Sequence, residues 1–266
     1  MELTGYLDFW FREQPIVERV AQFAGLGIHR LDVWLWRERP MADLHAECQR
    51  HGCILNSTFD PQPGNLVDAD DHPRCLDAWA ESLEMAERFG IPHLFVFSNQ
   101  VEVRPNGEEW IAPLGRDYTP GQMYANLVDG LARVLELAEK TKVTLWFEAL
   151  NTFHIHGGVF IHSHEQAADV VRRMDHPHLK LAFDCYHQQR TAGNLIYGLE
   201  AYRGLYPTVH IGDVPTRQEP GTGEINFRNI ARKLEELGFD GLLGMEFYPS
   251  DTEEMALQRV KEIFRL

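Results

Sequence analysis

The sequence predicts a closed (β/α)8 barrel, and three observations carry that prediction. Eight short apolar runs alternate with amphipathic segments, a pattern that folds as parallel strands joined by crossover helices. The chain has 266 residues, of which 44% are apolar, and one such barrel takes about 250 residues. The last four runs each end on a side chain able to hold a metal: Val-Thr-Leu-Trp-Phe-Glu148, Leu-Lys-Leu-Ala-Phe-Asp184, Thr-Val-His210 and Leu-Leu-Gly-Met-Glu246. Parallel strands bring such termini together at the carboxyl edge of the sheet, where a barrel of this kind keeps its chemistry.

The elements follow in order along the chain. The first strand is Leu3 to Phe9, with a helix beginning just inside Pro15, a residue tolerated at the first helical position. The second unit pairs His29 to Trp36 with a helix from Met41 to His51. The third pairs Cys53 to Phe59 with a helix from Pro73 to Phe89, after a loop rich in Pro, Gly and Asp. The fourth has His93 to Ser98, a long excursion through Pro105, Gly107 and Pro113, and a helix from Pro120 to Lys140. The fifth to eighth strands carry the four metal-type residues, with helices at Ser163 to Met174, Gly193 to Arg203, Asn226 to Leu237 and Thr252 to Phe264. Val128, Leu131, Val134, Leu135 and Leu137 mark the apolar face that one helix lays on the sheet. Gly25, Gly52, Gly90 and Gly238 follow helical stretches where a left-handed cap is wanted. An open doubly wound sheet would carry a glycine-rich dinucleotide turn after its first strand, and none is present. No linker of biased composition interrupts residues 1–266, so a single barrel domain is expected.

Composition narrows the partners. The formal charge is −15, from 25 basic and 40 acidic residues, which opposes nucleic acid and anionic membrane surfaces. Cys48, Cys53, Cys75 and Cys185 show no CxxC spacing, and no positively charged leader opens the chain, so a cytoplasmic protein is expected. No apolar run approaches the roughly 20 residues that cross a bilayer.

Taken singly, a carboxylate at a strand end is more often a helix cap or a solvated loop residue. Four metal-type residues on consecutive strands change that reading. An acid within a barrel wall carries a large desolvation cost that a cation removes. The set Glu148, Asp184, His210 and Glu246 mixes oxygen and nitrogen without thiolate, which suits Mn, Mg or Co and argues against a structural zinc site. A divalent cation can chelate adjacent carbonyl and hydroxyl oxygens and stabilise the enediolate left when the carbon between them loses its proton. Glu148 and Glu246, on opposite flanks, can then act as acid and base. Return of the proton to the neighbouring carbon makes an isomerase, and return to the other face of the same carbon an epimerase. His187, just past the sixth strand, is in reach of a substrate oxygen, and Arg217, beyond the seventh, can donate to a carboxylate or hydroxyl pair; the bland alternatives are a loop histidine and a surface arginine. The stretch Glu219-Pro-Gly-Thr-Gly-Glu224-Ile-Asn226 is dense in turn formers and lacks the lysine of a phosphate loop.

Glu148-Ala-Leu-Asn151, Phe183-Asp-Cys-Tyr-His187-Gln, Asp213-Val-Pro-Thr-Arg217 running on to Asn226, and Gly244-Met-Glu246-Phe resemble the hydroxypyruvate isomerase family. That family belongs to the xylose isomerase-like TIM barrels, together with ketose 3-epimerases and endonuclease IV. The resemblance is strong from about Lys142 to Pro249. It implies that Glu148, Asp184, His210 and Glu246 bind the metal, that Glu148 and Glu246 are the acid/base pair, that His187 and Arg217 contact substrate, and that the protein is a homodimer or homotetramer. Two departures bear on substrate choice. The family usually has glutamine where this chain has His210, a histidine that looks more like the ketose 3-epimerases, and it has aspartate where His154 stands, in His154-Ile-His156-Gly157-Gly158, which makes His154 a further substrate-contact candidate. Asp32-Val-Trp34-Leu-Trp36 and Phe97-Ser-Asn-Gln100 replace the segments that line a small-acid pocket. Trp10, Trp34, Trp36 and Trp110 can be core or rim residues or sugar platforms, so a pocket larger than hydroxypyruvate needs is expected.

The expected substrate is therefore a small hydroxy-keto sugar or sugar acid. A lyase acting on a keto sugar or 3-keto-glycoside is the competing chemistry on the same scaffold. A nuclease of the endonuclease IV type would need further histidines at the active end of strands two to four, whereas His29 and His93 open their strands. A non-catalytic sugar-binding barrel would have no need for both Glu148 and Glu246.

Overall fold

The computed structural model describes residues 1–60, 64–103 and 109–266. Pro105 and Gly107, and part of the loop after the third strand, lie outside the described residues. Eight parallel strands close into a barrel: β1 (Glu2–Tyr6), β2 (Arg30–Val33), β3 (Ile54–Thr58), β4 (His93–Val96), β7 (Thr144–Glu148), β8 (Leu179–Asp184), β9 (Thr208–His210) and β10 (Leu242–Met245). Two short strands, β5 (Val101–Val103) and β6 (Glu109–Ile111), form an antiparallel hairpin inserted after β4. The hairpin falls within the irregular excursion expected there, since three-residue strands carry too little periodicity to register in a sequence.

Period-two alternation sorts the barrel side chains into two layers. Leu145, Phe147, Leu181, Phe183, Val209, Leu243 and Met245 join helix residues such as Leu131, Val134 and Val171 in one large apolar cluster between sheet and helices. The intervening residues Phe95, Trp146 and Ala182 belong to a second, smaller cluster inside the barrel. One step of two residues beyond Trp146 and Ala182 come Glu148 and Asp184. On β7 and β8 the inner face thus passes from apolar to ionisable as the strand reaches its carboxyl end.

The helices that close the units are α1 (Arg19–Gly25), α2 (Met41–His51), α3 (His72–Phe89), α4 (Pro120–Ala138), α5 (His164–Met174), α6 (Cys185–Thr191), α7 (Leu195–Ala201), α8 (Phe227–Glu236) and α9 (Glu253–Phe264). Thr119 with Gln122 and Ser163 with Gln166 form capping boxes that start α4 and α5. Asn226 and Thr252 cap α8 and α9 by accepting from the third backbone N–H. Gly52, Gly90 and Gly238 have the expected left-handed backbone, but Gly25 remains helical and Gly27 takes that conformation instead. Helix α1 starts four residues after Pro15, because Arg19 donates to the carbonyls of Leu7 and Gln14 and holds the preceding stretch as turns. The helix expected from Gly193 to Arg203 is α7, and an additional helix, α6, precedes it and opens directly after Asp184. Among the described residues, no helix is long and apolar enough to cross a membrane.

Candidate active site

Strands β7, β8, β9 and β10 are consecutive in the barrel; Glu148, Asp184 and His210 are the last residues of the first three, and Glu246 directly follows the fourth. Asp184 and His210 are register partners, as are His210 and Gly244. One ligand atom from each of Glu148, Asp184, His210 and Glu246 lies within 4.8 Å of the others, and all four residues are buried. His210 Nδ1 is 3.0 Å from Glu246 Oε2, 3.3 Å from Asp184 Oδ2 and 3.8 Å from Glu148 Oε1. Gly244 makes this approach feasible, since a Cβ there would stand 2.6 Å from the His210 ring.

The cluster fits a cation. Glu148 Oε1, His210 Nδ1 and Glu246 Oε2 are buried and lack hydrogen-bond partners, a costly state for ionisable atoms unless positive charge joins them. Burial opposes charge on His210, yet contact with Asp184, Glu246 and Glu148 raises its pKa well above the usual imidazole range. Burial, with Glu246 and Asp184 nearby, raises Glu148 well above a normal carboxylate despite His210. Such a site demands positive charge, which a proton or a divalent cation supplies. The Tyr6 hydroxyl lies 3.2 Å from His210 Nε2; with Nε2–H donating to it, Nδ1 is the bare nitrogen that a metal needs.

Neighbouring groups hold this arrangement. Asp184 combines the two readings of a strand-end acid: its Oδ1 caps α6 by accepting from His187 N–H at 2.7 Å, while Oδ2 faces His210. The backbone N–H of Asp184 donates to His164 Nε2 at 3.1 Å. Burial lowers the His164 pKa to about 3, so its ring is a neutral acceptor. His187 is buried, its Nδ1–H donating to Asn151 Oδ1 at 2.6 Å, and its Nε2 sits 4.0 Å from Glu148 Oε1.

Arg217 is also buried, despite its loop position. Its Nη2 donates to Glu246 Oε1 at 2.9 Å, Nη1 lies 3.6 Å from Glu109 Oε1, and the guanidinium faces the rings of Phe9, Trp34 and Tyr186. The turn-rich stretch that follows explains how a loop arginine is fixed. Asp213 accepts four backbone N–H groups, from Gly221 and Gly223 on one oxygen and from Val214 and Ile225 on the other. Gly223 passes so near that a Cβ would stand 1.9 Å from the Val214 carbonyl oxygen. These amides are spent on Asp213, so the stretch is a clamp rather than a phosphate cradle.

Two expectations are not met. His154 is turned to solvent with its ring on Phe153, 4.0 Å between centroids, and does not join the cluster. Left-handed backbone at both His154 and His156 reverses the chain there, and His156 is the buried residue. Its Nε2–H donates to Glu109 Oε2 at 2.7 Å. The cavity beside the cluster is lined by Trp34, Phe59, Phe95, Phe97, Val101, Leu150, Glu109, Glu148, His187, Arg217 and Glu246. It measures about 20 Å³, close to the space of a single water. Side chains fill what was expected to be a roomy pocket, Arg217 and Glu109 among them. Of the four tryptophans considered, Trp34 alone lines it; Trp10 is wholly buried, with its N–H on the Met245 carbonyl, and Trp110 is half exposed on the hairpin.

Residues 20–265 match the family described as Xylose isomerase-like TIM barrel. The chain belongs to that family. Within the xylose isomerase-like barrels, it is 30% identical to hydroxypyruvate isomerase of Escherichia coli over 141 residues, 53% of this chain and 54% of that protein. It is 23% identical to 2-oxo-tetronate isomerase of Cupriavidus necator over 251 residues, 91% of each. Among solved structures, an AP endonuclease, family 2, from Brucella melitensis superposes with a TM-score of 0.84 at 22% identity, covering 98% of both chains. D-psicose 3-epimerase from Clostridium cellulolyticum superposes at 0.81 with 17% identity and 99% coverage of both. The structural likenesses establish the fold. The named relatives support an isomerase or epimerase with a small-molecule substrate.

Proposed function

We propose that this xylose isomerase-like barrel, as one domain of 266 residues, is a divalent-metal-dependent isomerase or epimerase of a hydroxy-keto sugar or sugar acid. The observation that carries the reading is the buried convergence of Glu148, Asp184, His210 and Glu246 beside a cavity that Glu148 and Glu246 themselves line. These four would hold the cation, with Mn, Mg or Co best suited to an oxygen-rich set. When bound, the cation supplies Lewis acidity that stabilises negative charge developing on a carbonyl oxygen.

The remaining chemistry belongs to the chain. Glu148 and Glu246 stand at the two ends of a four-strand arc, so they reach a molecule in the cavity from different sides. One carboxylate removes the proton from the carbon beside the carbonyl and the other returns it. With Nδ1–H held by Asn151, His187 presents Nε2 to accept a hydrogen bond from a substrate hydroxyl. Arg217, shielded by three rings, donates to a substrate oxygen. The reading places the protein in carbohydrate metabolism as a cytoplasmic homodimer or homotetramer, in line with the family it resembles.

A panel from hydroxypyruvate and 2-oxo-tetronate to ketopentoses and ketohexoses, followed by NMR with protein loaded with Mn, Mg or Co, tests it. Conversion of at least one compound, lost on chelation and restored by metal, is expected. Conversion that chelation leaves untouched, or none with metal bound, overturns it.

A further inference from the structure

The hairpin inserted after β4 brings a fifth ionisable residue to the cavity that neither the strand pattern nor the metal cluster accounts for. Glu109, on β6, has only 12% of its side chain exposed. One carboxylate oxygen accepts from His156 and the other lies 3.6 Å from the Arg217 guanidinium. Burial would push its pKa up, but the hydrogen bond and charge of His156 and the charge of Arg217 hold it down to about 2.

The charges of the site then limit what can enter. Arg217 is the one arginine or lysine among the described residues lining the cavity, and it already faces Glu246 at 2.9 Å and Glu109 at 3.6 Å. Four formal carboxylates, Glu109, Glu148, Asp184 and Glu246, already engage the positive charge at hand, namely this arginine, the His156 imidazole paired with Glu109 and a divalent cation. A substrate carboxylate would find no unshared cation in the protein and would face Glu109 in a site of low dielectric. A hydroxyl suits the same place. The 3.6 Å gap exceeds a hydrogen bond, and an O–H can donate to Glu109 while accepting from Arg217. The rings of Trp34, Phe59, Phe95 and Phe97 form the apolar wall beside it, the surface that the C–H face of a sugar covers.

We propose that Glu109 is a specificity-determining residue: held by His156, it occupies Arg217 from the inserted hairpin and sets the site for uncharged keto sugars over 2-oxo and hydroxy-oxo acids. This rests on the isomerase reading above. It departs from the acids in the names of the two relatives.

Erythrulose and 2-oxo-tetronate test it, since they differ only in a hydroxymethyl against a carboxylate beside the carbonyl. Their binding to Mn-loaded protein is measured by calorimetry and their turnover by NMR, for wild type, Glu109→Gln and Glu109→Asp, with circular dichroism as the folding check. Wild type is expected to bind erythrulose at least about tenfold more tightly. Glu109→Gln is expected to shift that ratio toward the acid by about tenfold to a hundredfold, the scale of one charge removed from a poorly screened site. The shift should lie in Kd and KM more than in kcat, and Glu109→Asp should keep the preference. Tighter binding of the acid by wild type, an unchanged ratio in a folded Glu109→Gln, or binding of neither compound overturns the proposal. Selective binding of erythrulose without turnover of either compound upholds it while removing this pair from the isomerase reading.

Discussion

At the residue scale, the chemistry depends on atoms kept bare. His210 Nδ1, Glu148 Oε1 and Glu246 Oε2 have no hydrogen-bond partner, and each sits where period-two alternation turns it inward. Tyr6 is the residue whose hydroxyl faces His210 Nε2 at 3.2 Å, on the side of the ring away from the carboxylates. Tyr6→Phe keeps the ring in its contacts with Phe9 and His210 and removes the oxygen. Its expected result is a loss of metal affinity of about 10- to 100-fold with the fold intact, as for other groups that orient a metal ligand. Metal titration by calorimetry measures this, and wild-type affinity in the variant would contradict it. The four metal-type residues were legible because a side chain at the end of an apolar run has one place to go in a barrel. Tyr6 was not, since in sequence it is another member of an apolar run. Nor was the contrast between His154 and His156, which rests on left-handed backbone at both positions.

At the scale of elements, β7 to β10 supply the cluster, while two irregular insertions supply what surrounds it. The Asp213 to Ile225 clamp fixes Arg217, and it was visible as an unusual density of turn formers. Its purpose was not visible, because the acceptor that gathers the backbone amides is Asp213, at the start of the same loop. Gly223→Ala forces its Cβ against the Val214 carbonyl. A cost of about 1–3 kcal/mol and a fall in Tm of roughly 2–4 °C per kcal/mol are expected, with weaker substrate binding through Arg217. Gly157→Ala, where a Cβ meets nothing within 4 Å, should change Tm little. Equal effects in the two variants would show that the clamp does not depend on that close approach. The β5–β6 hairpin is not legible in the sequence, and neither is the placement of Glu109, whose partners lie 47 and 108 residues further along the chain. Helix α6 is not legible for a related reason: a strand-end acid reads either as a helix cap or as a metal ligand, and Asp184 is both, one oxygen starting the helix while the other faces His210.

At the scale of the whole molecule, eight alternating units and an unbroken chain made the barrel legible, and closure of β1 on β10 completes it. On the proposed reading, the cost of gathering three carboxylates and an imidazole in its mouth would be met by a cation that the folded chain binds and the unfolded chain does not. Stripping the metal should therefore lower Tm, and metal at 100 times its Kd should restore about 2.7 kcal/mol of stability. A Tm independent of chelation would show that no cation is bound. The central claim is proton transfer by Glu148 and Glu246 beside a substrate carbonyl, and solvent deuterium incorporation measures it most directly. Metal-loaded protein in D2O should place deuterium on the carbon next to the carbonyl of its substrate, and Glu148→Gln and Glu246→Gln should each reduce that rate by about a thousandfold or more while remaining folded. Incorporation at the wild-type rate in either variant, or turnover of substrate without any deuterium entering, would contradict the account.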